Sequence, residues 1–303
     1  MISALFRALR PKQWTKNAVL LAAFFFAWGD PTQGARTAGL SPALHALLAT
    51  AVFCAVSSAV YLFNDLLDVK ADRAHPVKRL RPIASGELPA KVAWCACAAL
   101  LAVGFALSAR FLPMEFTRVA VAYVALQAVY SLFLKRLPLV DVLVIAIGFV
   151  LRAIAGAEAV LVRISPWLLL CTFLLALFLA LCKRRHEMGV GTVAADGASH
   201  RAALSGYDIR LLDQLIAISS AATVVCYSIY TLCAETAERF GTHRLGFTIP
   251  FVVFGVFRYL DLVYRHREGG RPEQLLLADK VLLVDVLLYA LAALAILAPW
   301  TRA

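Results

Sequence analysis

Charged residues are scarce in this chain of 303 residues. Asp, Glu, Lys and Arg together make up 16% of the sequence, whereas apolar residues make up 62%. A soluble domain has about 25% charged and roughly 45–50% apolar residues. So few polar side chains could not cover a water-exposed surface on every side. The composition therefore excludes an ordinary soluble domain and predicts a membrane protein.

Paired cysteines and linkers are also lacking. The seven cysteines all lie in or at the ends of apolar runs, and the pair Cys95 and Cys97 has no partner pair at zinc-ligand spacing. We expect neither a disulfide framework nor a cysteine-bound zinc ion. No low-complexity tract, internal period or shift in composition divides the chain. The sequence therefore predicts one transmembrane domain over residues 1–303.

Long apolar runs are what the sequence does contain. A helix needs about 20 residues to cross the hydrocarbon core of a bilayer. Nine runs approach that length, at residues 17–29, 42–63, 91–112, 117–134, 139–161, 166–182, 212–234, 247–264 and 280–299. The prediction is an all-α fold, a polytopic membrane protein with nine transmembrane helices in one bundle.

Basic residues alternate between rich and poor loops along the chain. With the N-terminus inside, inner segments hold 21 of the 30 Lys and Arg residues and outer segments hold 7, while Arg152 and Arg258 lie within runs. This asymmetry follows the positive-inside rule. It predicts an inner (plasma) membrane protein with a cytoplasmic N-terminus and an external C-terminus. The net charge of +11 is therefore a topology signal, and no nucleic-acid partner is expected.

The long, charged inner segments are residues 64–90, 183–211 and 265–279, and the first of them opens with an acidic stripe. At about 100° per residue on a continuing helix, Asn64, Asp65, Asp68 and Asp72 share one face. Three neighbouring carboxylates repel one another unless a cation lies between them, and Mg²⁺ binds carboxylates together with substrate phosphate oxygens. We predict that all four residues bind Mg²⁺, that the three aspartates are catalytic, and that a cavity opens on the cytoplasmic side. A solvated helix end with incidental acids is the weaker alternative.

A basic block follows the stripe and contains Lys78, Arg79 and Arg81. Arginine binds phosphate oxygens through two parallel hydrogen bonds. Taken alone, the block fits the positive-inside rule equally well. Beside the acids, it predicts a diphosphate clamp, with these three residues and Asn64 as substrate-binding groups.

These motifs resemble those of a known family. Asn-Asp-x-x-Asp-x-x-x-Asp at 64–72, with Arg-Pro-Ile-Ala-Ser-Gly at 81–86, is similar to the first signature of the UbiA prenyltransferase superfamily. Its members are nine-helix membrane enzymes that bind Mg²⁺ and diphosphate. The segment from Tyr130 to Arg136 resembles the end of the family's fourth helix, whose lysine approaches the diphosphate. The resemblance implies that Tyr130 and Lys135 bind substrate.

The chain departs from the family after the sixth run. A second Asp-rich motif is typical there, but this sequence has Lys183, Arg184 and Arg185. Residues 10–17, 72–76 and 148–156 resemble the decaprenyl-phosphate phosphoribosyltransferase branch. That branch transfers 5-phosphoribose from phosphoribosyl pyrophosphate to a polyprenyl phosphate. The resemblance implies this reaction, with Lys183 and Arg184 as substrate-binding residues for the donor's 5-phosphate or the lipid phosphate.

Two further basic residues are candidate substrate contacts. Arg152 lies within the fifth run, where a charge is costly and commonly functional; the alternative is an ion pair with Asp141 or Asp285 that ties helices together. Lys16 lies in the basic segment 10–16, which fits either an interfacial anchor or a contact with the lipid phosphate. The resemblance favours the lipid phosphate.

A polyprenyl phosphate is already anionic, so its attack on the donor needs no general base. The absence of a Ser/His/Asp or Cys/His arrangement agrees with that reaction. One alternative is a prenyltransferase that uses a prenyl diphosphate and an aromatic or lipid acceptor. Another is a transporter of anionic lipids without catalysis, although convincing internal repeats, common in transporters, are missing.

The charge asymmetry makes the topology testable. Single cysteines introduced near residue 1 and near residue 200 of a cysteine-free variant should react with impermeant thiol reagents only from the cytoplasmic side. A cysteine at the C-terminus should react from the outside. Labelling of both termini from the same side would contradict an odd number of spans.

Overall fold

The computed structural model describes residues 1–28, 30, 40–193, 206–266, 269–270 and 272–297. Within these ranges every regular element is helical, as predicted for an all-α protein. The helices, in chain order, are α1 Ile2–Ala8, α2 Val19–Trp28, α3 Leu40–Leu67, α4 Val69–Ala74, α5 Ala90–Phe111, α6 Met114–Leu132, α7 Val140–Ala159, α8 Pro166–Val193, α9 Ile209–Leu232, α10 Ala234–Phe240, α11 Ile249–Tyr264, α12 Pro272–Ala278 and α13 Lys280–Leu297, with 3₁₀ helices at Pro11–Ala18, Lys78–Leu80, Leu134–Arg136 and Arg244–Thr248.

Each of the nine predicted runs coincides with a helix, but only seven helices of the described residues are long and apolar enough to cross a membrane. The nine-span prediction is therefore confirmed for seven runs. Helix α2 falls short because it has only 10 residues after its 3₁₀ entry. Helix α6 falls short because Glu115, Arg118 and Gln127 lower its mean hydropathy.

Apolar packing joins the helices around α7. Its first turns contribute Val142 to a cluster with α8, α9 and α11. Its last turns contribute Ala155 and Ala159 to a second cluster, with α2, α3 and α6. Helix α7 is shared by both clusters, and its charged residues Asp141 and Arg152 are buried.

The acidic segment is not the single continuing helix that its spacing predicts. Helix α3 ends at Leu67, and Asp68 (φ −93°, ψ 4°) precedes the short helix α4. The backbone hydrogen bonds nevertheless run on, from Asp68 N–H to the Asn64 carbonyl at 3.0 Å and from Asp72 N–H to the Asp68 carbonyl at 2.8 Å. The change in direction is small enough to keep the acidic side chains at one end of the bundle.

The contact between α2 and α7 depends on a glycine. A Cβ at Gly156 would lie 2.2 Å from the backbone oxygen of Leu20. We expect Gly156→Ala to force the two helices apart and to lower the free energy of unfolding by roughly 1–3 kcal/mol, as overpacking does. Thermal unfolding of the detergent-solubilised protein measures this change.

Gly189 is the matched control, because a Cβ there meets no atom within 4 Å. Alanine has a higher helix propensity than glycine, by about 1 kcal/mol. Gly189→Ala should therefore leave the protein as stable as the wild type or more so. Equal melting temperatures for both variants would mean that α2 does not pack closely on α7.

Candidate active site at the acidic end of α3

Two acids of the stripe share one arginine. Arg81 Nη1 lies 2.9 Å from Asp65 Oδ1 and 2.7 Å from Asp72 Oδ2. Arg10 Nη2 also donates to Asp65 Oδ1, at 2.6 Å. Both carboxylates are buried, with side-chain exposures of 3% and 5%. Two guanidinium groups therefore compensate charges that would be costly without partners.

The other two residues of the stripe share a lysine. Lys135 Nζ lies 2.6 Å from Asp68 Oδ1 and 3.5 Å from Asn64 Oδ1. Lys135 belongs to the 3₁₀ turn that follows α6, so the turn between α6 and α7 is brought onto the end of α3. The structure thus gathers the four residues of the stripe, as predicted, into two pairs that are each bridged by a cation.

The side-chain atoms of the acidic stripe are of the type that Mg²⁺ binds. The side chains of Asn64, Asp65, Asp68 and Asp72 offer only oxygen, which Mg²⁺ prefers, and this ion takes its remaining ligands from water and substrate phosphates. In the described part of the chain, no group of three or more Asp, Glu, His or Cys side chains is arranged as a metal site. The protein alone does not form a complete cage, and the residues suit an ion that arrives with diphosphate.

Burial also affects protonation at this end. Burial raises the pKa of the Asp72 carboxyl above its usual range, although the Arg81 guanidinium opposes this shift. Arg81 thus favours the charged form of the carboxyl, which burial disfavours.

The predicted open cavity at this end is not confirmed. Arg10, Arg81 and Lys135 lie directly against the acids, and this packing leaves Asp65 and Asp72 buried. Of the basic block, Lys78 is half-buried near Asp72, whereas Arg79 is exposed. A substrate would reach the acids by displacing these cations.

The basic segment after the sixth run lies beside this cluster. Arg184, only 2% exposed, donates from Nε to Asp141 Oδ2 at 2.7 Å and from Nη1 to Glu187 Oε2 at 2.5 Å. Its guanidinium also lies near Tyr130. Lys183 is half-buried. The partners of Arg184 within the protein favour an internal ion pair over the predicted contact with substrate.

Arg152 is buried in the centre of the bundle. Its guanidinium donates to Asn17 Oδ1 at 3.0 Å, to the Gly148 carbonyl at 3.1 Å and to the Tyr123 hydroxyl at 2.8 Å. The alternative of an ion pair with Asp141 or Asp285 is wrong, because the guanidinium binds these neutral acceptors and Asp141 binds Arg184. The rings of Tyr123 and Phe149 also lie against the Arg152 guanidinium, with centroids 4.8 and 5.0 Å from its Cζ.

Sequence reasoning missed two features of the site. Arg10 was predicted only as an anchor or a lipid contact, yet it binds Asp65 across 55 positions of sequence. Tyr207 was not singled out, although its hydroxyl donates to Asp141 Oδ1 at 2.6 Å. No local spacing connects either residue with its partner. Lys16 lies half-buried in the 3₁₀ helix Pro11–Ala18, and Arg258 Nη1 lies 2.8 Å from Asp261 Oδ2.

The helical bundle has a fold that is known from solved structures. A UbiA homolog from Archaeoglobus fulgidus, solved with DMAPP and Mg²⁺, superposes with a TM-score of 0.69 at 22% identity, covering 97% of this chain and 99% of that one. A second homolog, from Aeropyrum pernix K1, gives 0.64 at 18% identity over 92% and 98% of the two chains. At these identities the likeness establishes the fold.

Sequence comparison identifies the family. The sequence profile described as the UbiA prenyltransferase family matches residues 16–187, which is more than half of the chain. The chain therefore belongs to the UbiA prenyltransferase family.

Curated relatives extend over nearly the whole chain. A decaprenyl-phosphate phosphoribosyltransferase of Mycolicibacterium smegmatis is 35% identical over 296 residues, covering 93% of this chain and 88% of that protein. The protein of the same name from Mycobacterium tuberculosis H37Rv is 34% identical over 287 residues, covering 93% and 90%. The chain is thus similar to transferases along its length.

The shared arginine at the acidic end predicts a stability effect. Arg81→Ala leaves the buried Asp72 without its ion-pair partner, and we expect the free energy of unfolding to fall by about 1–3 kcal/mol. Adding Asp72→Asn should recover part of this loss, because a neutral amide is less costly to bury than a carboxylate. Thermal unfolding in detergent measures both changes.

Arg79→Ala is the matched control for stability. Arg79 lies in the same 3₁₀ turn region but is exposed, and surface substitutions of this kind usually change stability by less than about 0.5 kcal/mol. The same loss in both variants would show that the Arg81 ion pairs do not stabilise the fold.

Proposed function

We propose that this protein transfers 5-phosphoribose from phosphoribosyl pyrophosphate to a polyprenyl phosphate and releases diphosphate. The observation that carries the proposal is the similarity, at 34–35% identity over 93% of the chain, to relatives named decaprenyl-phosphate phosphoribosyltransferase. The sequence supports it further, because Lys183, Arg184 and Arg185 stand where other family members place a second acidic motif. A second metal site could not be built from these cations.

The acidic stripe is the proposed diphosphate end of the site. Asn64, Asp65, Asp68 and Asp72 would hold Mg²⁺, which would offset the charge that develops on the leaving diphosphate. The cations that now bind these carboxylates would contact the phosphate oxygens. These are Arg10, Arg81 and Lys135. We assign the same contact with phosphate oxygens to Lys78 and Arg79 of the adjoining basic block, with Tyr130 beside them.

The remaining basic residues are assigned by what they contact. Lys183 is our candidate for the donor's 5-phosphate, whereas Arg184 is held by two carboxylates within the protein. Lys16 is our candidate for the phosphate of the lipid acceptor. Arg152 would shape the site indirectly, through its hydrogen bonds to Asn17 and Tyr123. The bundle would accommodate the lipid tail.

The reaction itself asks little of the protein in proton transfer. The bond from the anomeric carbon of ribose to the diphosphate oxygen breaks, and a bond to an oxygen of the acceptor phosphate forms. Because that oxygen is already anionic, no side chain has to remove a proton. Fixed positive charges and orientation therefore provide the catalysis. We place the site on the cytoplasmic side of the plasma membrane, in keeping with the basic loops.

The proposed activity can be measured with purified protein, Mg²⁺, labelled phosphoribosyl pyrophosphate and polyprenyl phosphate. We expect a phosphoribosyl lipid and diphosphate as products, and a chelator should abolish both. Asp68→Asn should lower the rate roughly a hundredfold or more, because it removes a metal ligand and weakens charge stabilisation in the transition state.

Glu115→Gln is the control, since Glu115 is an exposed acid at the opposite end of α6 and its loss should leave the rate unchanged. A parallel reaction contains a prenyl diphosphate and aromatic or lipid acceptors. Transfer of the prenyl group and not of phosphoribose would replace the proposal with an ordinary prenyltransferase. Specific binding of anionic lipids without either product would instead indicate a transporter.

A further inference from the structure

The turn between α6 and α7 has a strained backbone four residues after Lys135. Leu139 has φ 67° and ψ −45°, and the Val140 N–H donates to the Pro138 carbonyl at 2.8 Å. This is a γ-turn with positive φ, a rare and strained conformation for a residue with a branched side chain. Such conformations persist only where the surrounding contacts hold them.

Tyr207 supplies the contact that holds this turn. Its hydroxyl accepts the Leu139 N–H at 2.7 Å and donates to Asp141 Oδ1 at 2.6 Å. The second oxygen of Asp141 accepts from Arg184 Nε at 2.7 Å. Tyr207, Asp141 and Arg184 are 6%, 0% and 2% exposed, so this chain of hydrogen bonds is shielded from water.

The neighbouring Gly206 and the protonation of the Tyr207 hydroxyl support the same arrangement. A Cβ at Gly206 would lie 2.3 Å from Cγ of Pro138, so only glycine allows this close approach to the turn. Burial, and after it the hydrogen bond to Asp141, raises the pKa of Tyr207 above its usual range. The hydroxyl is therefore protonated at neutral pH and can donate to Asp141 while it accepts from Leu139.

Lys135 lies at the start of the α6–α7 turn that Tyr207 holds. The 3₁₀ turn Leu134–Arg136 and the γ-turn are separated by Leu137 alone, so the backbone leaves little freedom between them. Lys135 Nζ lies 2.6 Å from Asp68. A change in the γ-turn would therefore move the ammonium group relative to the acidic stripe.

We propose that Tyr207 is a positioning residue for Lys135. It fixes the α6–α7 turn through Leu139 and Asp141, so that the Lys135 ammonium is held where a diphosphate binds. The inference rests on the proposed contact between Lys135 and diphosphate, but not on which group the donor transfers. It gives Tyr207, which lies just before α9, a role in the geometry of the acidic end of the bundle.

The test uses binding of inorganic diphosphate with Mg²⁺, measured by calorimetry on the full-length protein. This probe is common to phosphoribosyl and prenyl donors, so the result is independent of the assay that tests the transferred group. Tyr207→Phe keeps the ring and removes the hydroxyl. We expect it to weaken diphosphate binding about three- to tenfold, the range for one lost hydrogen bond.

A double-mutant cycle separates positioning from general destabilisation. If Tyr207 acts through Lys135, the loss caused by Tyr207→Phe should vanish in a Lys135→Gln background. Gly206→Ala, which pushes the chain away from Pro138, should weaken binding in the same direction and with the same dependence on Lys135. This second variant keeps the cycle informative if Tyr207→Phe does not fold.

Tyr227→Phe is the matched control. Tyr227 is also buried in two hydrogen bonds, to Thr248 at 2.6 Å and to Tyr289 at 3.2 Å, but it lies near the other end of α9. It should lower the melting temperature without changing diphosphate affinity. Unchanged affinity in folded Tyr207→Phe, or an equal loss with and without Lys135, would overturn the proposal.

Discussion

Three carboxylates at the end of a lipid-embedded helix need counter-charges, and this requirement organises the chain around α3. The cations come from three separate segments: Arg10 before the first apolar run, Arg81 after α4, and Lys135 after α6. An uncompensated charge at this position would cost several kcal/mol. Each of these segments is therefore tied to the end of α3. The neutralisation of the acids thus adds to the apolar packing that already joins Ala8, Ile83 and Leu88 to Leu62 of α3.

The same balance of charge explains how the cluster could exchange partners. The three carboxylates are bound by three cations, so the closed cluster is close to neutral. In the proposed reaction, a metal ion would take the carboxylates and the phosphate oxygens would take Arg10, Arg81 and Lys135. Neither set of buried charges would be left unpaired during this exchange, which matters because removing one partner of a buried pair is strongly destabilising. A site whose acids and cations bind one another in the absence of ligand is therefore compatible with a highly charged ligand.

Hydrophobic periodicity and residue spacing predict features that are local in sequence. The apolar runs predicted most of the major helices within a few residues, although α8 continues to Val193, well past the end of its run at residue 182. The spacing of Asn64, Asp65, Asp68 and Asp72 predicted their common end of the bundle. Contacts of charged residues with partners far away in sequence were less predictable. Arg152 was predicted to contact substrate, with an ion pair to an acid as the alternative, but neutral hydrogen-bond acceptors and aromatic rings surround it. The contact between Tyr207 and Asp141 joins residues 66 positions apart, and only the packing of α7 against α8 and α9 brings them together.

The basic segment after the sixth run carries less free charge than its composition indicates. Arg184 is bound by Asp141 and Glu187, and Arg185 lies 2.6 Å from Asp213, with its guanidinium over the Tyr264 ring. Two of the three cations are therefore compensated within the protein. The bases of this segment form ion pairs that fasten α8 to α7 through Asp141 and to α9 through Asp213. In the proposed reaction, the cations released to an anionic substrate would be those at the end of α3, where Arg10, Arg81 and Lys135 now bind the acids.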